Sequence, residues 1–195
     1  QATEDLAILR ALPDVVVMAP ADLVEAEECT KALAAYPGTA YLRLGRGGEK
    51  RIHDHIENFQ IGKAIKVKSG EKIAIFSTGA IFEEVNAAYD ILVSKGYSPA
   101  VYTFPTVKPI DKEVIEDCAK EFEVIVTCEE HNIVGGFGSA VAEVMAEMQA
   151  KKAYLLRIGL NDEYSVKVGN QEYLREQYGM DSKAIARKIE ETVNE

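Results

Sequence analysis

The chain has 195 residues, 47% hydrophobic and 28% charged, which suits one large domain or one domain plus part of another. Its 32 acidic and 22 basic residues leave a formal charge of -10, so a phosphate backbone is repelled and nucleic acid is excluded as a general partner. No apolar run approaches the ~20 residues that span a bilayer and no signal peptide opens the chain, which predicts no membrane partner.

Residue 1 is Gln, and residues 1–12 form a helical pattern with Leu6, Leu9 and Arg10 near one face, so the sequence reads as cut from something longer. Residues 14–19 form a β-branched run that Pro20 ends. Asp22 is a good N-cap, with Glu25 as its capping-box partner, for a helix that stops at Pro37-Gly38. Residues 40–44 read as a second strand, closed by Gly45-Arg46-Gly47-Gly48. Residues 46–66 lack periodicity, and a stretch of that length is better explained as a linker between domains than as a loop inside one.

A second α/β unit follows. Residues 72–77 have the continuous apolar core of a buried parallel strand. Ile81, Val85, Ala88, Tyr89 and Leu92 then recur at helical spacing, and Lys95-Gly96 closes that helix. Residues 100–104 form the next strand, Pro105 and Pro109 bracket a turn, and Asp111 caps another helix. Strands at 124–128 and 153–158 flank a helix with apolar face Phe137, Val141, Val144, Met145 and Met148. A last helix runs over 182–193. Strands alternating with helices predict a mostly parallel sheet covered on both faces.

The chemistry-bearing residues are few. Cys29, Cys118 and Cys128 are scattered, without metal-ligand spacing, and are expected to be buried thiols in a reducing cytoplasm. His53 and His55 are too few to hold a metal and are expected to be solvated linker residues. The cluster Gly135-Gly136-Phe137-Gly138-Ser139 lies where a phosphate loop could sit, but it matches neither G-x-G-x-x-G nor a P-loop; close backbone packing is the favoured reading. Glu129, Glu130 and His131 follow a strand end, where ligands bind in open α/β sheets. Adjacent strand residues alternate in direction and rarely converge on one atom, so a turn that fixes a loop or an interface is favoured over acid–base work. Arg43 and Arg46 flank a strand end beside glycines; phosphate binding and a surface salt bridge are equally good accounts of them.

Taken in order, these segments resemble the transketolase family. The residues that carry the resemblance are Gln1 to Ala7 with Leu9-Arg10-Ala11-Leu12-Pro13, Val17 to Asp22, and Arg43-Leu44-Gly45-Arg46. They continue with Lys108-Pro109-Ile110-Asp111, Thr127 to Asn132, and Gly135 to Val141. The resemblance implies that residues 1–48 are the tail of a pyrimidine-binding domain, 49–65 a linker and 66–195 the transketolase C-terminal domain, a mixed five-stranded sheet with helices on both faces. It implies transfer of a two-carbon ketol unit between sugar phosphates in the pentose phosphate pathway, in a cytoplasmic homodimer. Thiamine diphosphate with Mg2+ or Ca2+ would serve the complete enzyme. No cofactor is expected on this chain alone, because the family's carboxylate, ring-stacking aromatic, active-site His and diphosphate domain would all lie upstream. A partner N-terminal diphosphate-binding domain or subunit is implied. Arg46 matches the family's sugar-phosphate Arg. Glu129, Glu130, His131, Gly135, Gly136 and Gly138 match a segment with an interface or structural role, leaving no catalytic residue and no metal ligand. Deoxyxylulose-phosphate synthase, the 2-oxoacid dehydrogenase β subunit and a non-catalytic assembly domain are the competing readings.

Overall fold

Two sheets organise the chain in the computed structural model, which describes residues 3–194. The strands are β1 (Val15–Met18), β2 (Thr39–Leu42), β3 (Ile65–Lys68), β4 (Ile73–Thr78), β5 (Ala100–Thr103), β6 (Thr106–Lys108), β7 (Val124–Asn132) and β8 (Tyr154–Leu160). The helices are α1 (Asp5–Arg10), α2 (Leu23–Ala35), α3 (Phe82–Ser94), α4 (Lys112–Glu121), α5 (Phe137–Glu147), α6 (Gln171–Gln177) and α7 (Ser182–Asn194). The larger sheet has the order β3-β5-β4-β7-β8, parallel except for the antiparallel edge strand β3. This is the mixed five-stranded architecture that the family resemblance implies; the residue patterns alone indicate its four parallel strands but not the edge strand β3.

The continuous apolar character of β4 follows from burial on both faces. Ile73 and Ile75 pack with residues of α3 and α7, while Ala74 and Phe76 pack with residues of α1, α4 and α5. Phe76, Phe104 and Phe137 stack along this second face, with centroids 4.9 and 5.2 Å apart. Each such ring, fully buried, contributes about 2–3 kcal/mol. Edge strand β3 exposes Lys66 and Lys68, whose charges oppose pairing with another chain's edge. Among the described residues no helix is long and apolar enough to cross a membrane.

The smaller sheet has the order β2-β1-β6. Its third strand comes from beyond the expected linker, and it replaces the turn predicted between Pro105 and Pro109. A residue between two prolines still has its own N–H and C=O, and β1 offers them a partner.

Three further differences have local causes. The first helix spans Asp5–Arg10 rather than 1–12. Pro13 disfavours a helical Leu12 at its far end, and Gln1 and Ala2 lie outside the described residues. The segment expected to be a linker lacks regular structure up to β3, but it is held to its neighbours. Asp22 Oδ2 accepts the Ile52 and His53 amides, and Asp111 Oδ2 accepts the Ala64 amide. His53 is not solvated: its Nε2 lies 3.0 Å from the fully buried Glu25, whereas His55 is exposed as expected. Helix α6 is unheralded by apolar periodicity, because its buried side chain is Arg175.

The Asp22–Glu25 capping box forms with its return arm shifted by one residue. Asp22 Oδ1 accepts the Glu25 amide at 2.8 Å, and Glu25 Oε2 accepts the Ala21 amide at 2.7 Å.

Candidate functional site

The carboxyl ends of β2, β4 and β7 open onto one cavity of about 350 Å³. This is where ligands bind in open α/β folds, and the size lies in the range of small-molecule sites. Its charged and polar walls come from Asp5, Tyr41, Arg43, Arg46, Glu130 and Gln171, and its floor from Thr78, Gly79 and Ala80. The floor depends on Gly79, whose φ of +72° is a left-handed conformation that a side chain would strain. Thr78 pins the same turn by donating to the Phe104 carbonyl at 2.8 Å.

Most charge in the walls is committed. Asp5 Oδ2 accepts the Tyr41 hydroxyl at 2.7 Å and pairs with Arg43 Nε at 3.2 Å. Arg43 also donates to the Glu130 carbonyl at 3.1 Å. The Glu130 carboxylate accepts from Gln171 Nε2 at 2.9 and 3.0 Å and from Arg175 at 2.8 and 3.2 Å. Arg46 is exposed and, among the described residues, has no hydrogen-bond or ion-pair partner. An uncommitted guanidinium in a cavity can take a phosphate through paired N–H donors.

The Glu129-Glu130-His131 segment divides as strand alternation requires. Glu130 faces the cavity wall, while Glu129 and His131 turn into the protein with Glu129 Oε2 3.7 Å from His131 Nδ1. Glu129 accepts the Phe137 amide at 2.6 Å and the Gly138 amide at 2.8 Å, so it caps the start of α5. His131 is fully buried, donates from Nδ1 to the Asn132 carbonyl at 2.7 Å, and accepts the Ala7 amide at Nε2 at 3.4 Å. Burial holds its pKa below the usual imidazole range, in keeping with a neutral ring. Neither buried side chain lines the cavity.

The glycines allow this closeness. A Cβ on Gly136 would lie 2.2 Å from Glu129 Oε2 and 2.7 Å from the Asn132 carbonyl, and one on Gly138 would lie 2.6 Å from Thr127 Oγ1. Gly135, at φ +75°, abuts Ala7 of α1 and accepts from Arg10 at 2.7 Å. These contacts join the β7–α5 segment to α1. Sequence reasoning singled out Arg43, Arg46 and Glu130 but missed Asp5, Tyr41 and Gln171 as cavity residues. An aspartate at a helix start reads as a capping residue, and no spacing links it to residues 36 positions on.

The α5 start does not fit a cofactor diphosphate, because Glu129 already takes its amides. Among the described residues no group of three or more His, Cys, Asp or Glu side chains could hold a metal ion. The three cysteines are buried and unpaired, and burial pushes Cys118 to about 11 and Cys29 and Cys128 to about 12, so none is a thiolate nucleophile at neutral pH.

Comparison with known proteins agrees with this architecture. The pattern defining the family "Transketolase, C-terminal domain" matches residues 62–185. A Methanocaldococcus jannaschii protein, which bears the provisional name transketolase C-terminal section, is 39% identical over 193 residues, covering 98% of this chain and 60% of that protein. A solved structure described as "Split gene transketolase, inactive beta4 tetramer" superposes with a TM-score of 0.88 at 31% identity, over 98% of this chain and 61% of that one. The 1-deoxy-D-xylulose-5-phosphate synthase of Heliobacterium modesticaldum is 36% identical over 189 residues, covering 96% of this chain and 29% of that enzyme. The chain thus spans about three fifths of the first two relatives and a smaller part of the third.

Proposed function

Because the chain belongs to the transketolase C-terminal domain family, we propose that it is the C-terminal part of a transketolase, a transferase that moves a two-carbon ketol unit from a ketose phosphate to an aldose phosphate. The observation that carries this reading is Arg46, the uncommitted cation in the walls of the cavity, which would hold the sugar phosphate. Thiamine diphosphate with Mg2+ or Ca2+ supplies the carbanion chemistry when bound to the complete enzyme, and residues outside this chain would hold it. The residues here orient the phosphorylated end of the substrate. The partners in this reading are an N-terminal diphosphate-binding domain or subunit and a second copy of the chain, in the cytoplasm.

The similarity to deoxyxylulose-phosphate synthase supports a second reading, in which pyruvate is the donor. The chain combined with its diphosphate-binding partner, thiamine diphosphate and Mg2+ separates the two. Turnover of xylulose 5-phosphate with ribose 5-phosphate is the expected result. Turnover of pyruvate with glyceraldehyde 3-phosphate instead would move the protein to the synthase. Absence of both would leave an assembly domain.

A further inference from the structure

Asp5 belongs to α1, yet its side chain forms part of the cavity wall and organises it. Its Oδ2 holds the Tyr41 hydroxyl and Arg43 Nε, as described. Its Oδ1 is buried, has no hydrogen-bond partner among the described residues and lies 3.7 Å from His131 Nε2. Two arginines line the cavity. One is bound to Asp5, and the other, Arg46, has no partner among the described residues.

We propose that Asp5 is the specificity-determining residue of this cavity: by neutralising Arg43 and holding the Tyr41 hydroxyl, it leaves Arg46 as the single cation for one phosphate group and keeps a second anionic group out. The assignment rests on the reading of the cavity as a phosphate site. A carboxylate paired to Arg43 cancels that charge at the distance of a bound ligand. The wall beside the phosphate then offers hydroxyl and amide groups, which suit the uncharged hydroxyls of a monophosphorylated sugar. A ligand with two adjacent anionic groups meets the Asp5 charge at its second group and is disfavoured.

The test titrates the 195-residue chain with inorganic phosphate and, separately, with pyrophosphate, following the Gly45 and Gly47 amides by NMR. The parent should bind phosphate and bind pyrophosphate no more tightly. Asp5→Asn should bind phosphate about threefold to tenfold more tightly, since a like charge is removed at ligand distance. Its gain for pyrophosphate should be larger still. Adding Arg43→Gln to Asp5→Asn should cancel both gains. A merely structural Asp5 would weaken both anions together; that result, or unchanged affinities, overturns the proposal. If Asp5→Asn does not fold, Arg43→Gln alone leaves the Asp5 charge uncompensated and should weaken phosphate binding at least about threefold. Unchanged phosphate affinity in Arg43→Gln then overturns the proposal. Arg46→Ala separates the two layers. If it abolishes phosphate binding while Asp5→Asn changes nothing, only the Asp5 assignment falls. If the parent does not bind phosphate, or Arg46→Ala binds it as well as the parent, the phosphate site itself falls and the Asp5 assignment with it.

Discussion

Glu129 and Gly138 join the end of β7 to the start of α5 through one hydrogen bond, the Gly138 amide donating to Glu129 Oε1 at 2.8 Å. The second carboxylate oxygen takes the Phe137 amide at 2.6 Å, so two of the helix's first amides are satisfied by one buried side chain. Burial pushes the carboxyl up to about 7, against the two amide bonds that pull it down. Between its ordinary value of 4.5 and about 7 the folded chain therefore holds more protons than the unfolded chain. Stability should fall as pH rises through that window, by about 3 kcal/mol at most. Glu129→Gln should flatten this component. It should also cost about 1–3 kcal/mol, because an amide has one acceptor oxygen for two donors. Thermal midpoints of parent and variant at pH 5 and pH 8 check both statements; a pH dependence of the same size in Glu129→Gln would assign it to another group.

Gly136→Ala should destabilise the chain by about 1–3 kcal/mol through overpacking. The new methyl would meet Glu129 Oε2, the Asn132 carbonyl and His131 Nδ1 at 2.2, 2.7 and 2.7 Å, and the carbonyl belongs to the backbone and has little room to yield. All three contacts are within one chain, so the loss in denaturant unfolding should not depend on protein concentration. A concentration-dependent loss would show that the glycine segment also meets a second copy.

Most strands and helices were legible, the strands from short continuous apolar runs and the helices from apolar residues at helical spacing. Ile73 to Thr78 and Ile81 to Leu92 carry that signal unaided. β3, β6 and α6 were not legible: β3 begins inside the stretch read as irregular, three residues between prolines have no measurable period, and α6 is fastened by the Arg175–Glu130 ion pair rather than by an apolar face. For the site, Arg46 and Glu130 stood out because glycines and a strand end surround them. Asp5 could not, because it reaches Tyr41 and Arg43 only once β2 has paired with β1 and α1 has packed against that sheet. The expectation for His53 failed for a similar reason. His53 looks solvated in sequence, and only the fold brings the buried Glu25 beside it.

That His53–Glu25 contact makes the linker's attachment depend on pH. Burial disfavours the charged imidazole, but the hydrogen bond and charge of Glu25, with that of Asp22, outweigh it and raise the His53 pKa above its ordinary value of 6.5. The pair's contribution is thus fully present below pH 6.5 and is lost as pH rises through the raised value. The segment at 49–65 should be cut faster by protease at pH 8.5 than at pH 6, relative to a site elsewhere in the chain. His53→Ala should abolish the difference and cost about 1–3 kcal/mol, since among the described residues Glu25 then keeps only the Ala21 amide. Equal cleavage of the parent at both pH values would show that the Asp22 bonds to the Ile52 and His53 amides hold the linker without help.

Arg46→Ala tests the proposed role of the cavity in turnover. In the assembled enzyme it should raise the KM for phosphorylated ketose donors roughly tenfold to over a hundredfold, the effect of losing a charged hydrogen bond of about 1.5–3 kcal/mol. Donors without a phosphate never make that bond, so their KM should hardly move. Arg46→Lys should recover part of the loss, because an ammonium keeps the charge but not the paired donors. The kcat for phosphorylated donors should change less than KM if the contact holds ground state and transition state alike. Thermal stability should be unaffected, since Arg46 is exposed and has no partner among the described residues. A KM that rises equally for both donor types would place the phosphate elsewhere and return Arg46 to an ordinary surface cation.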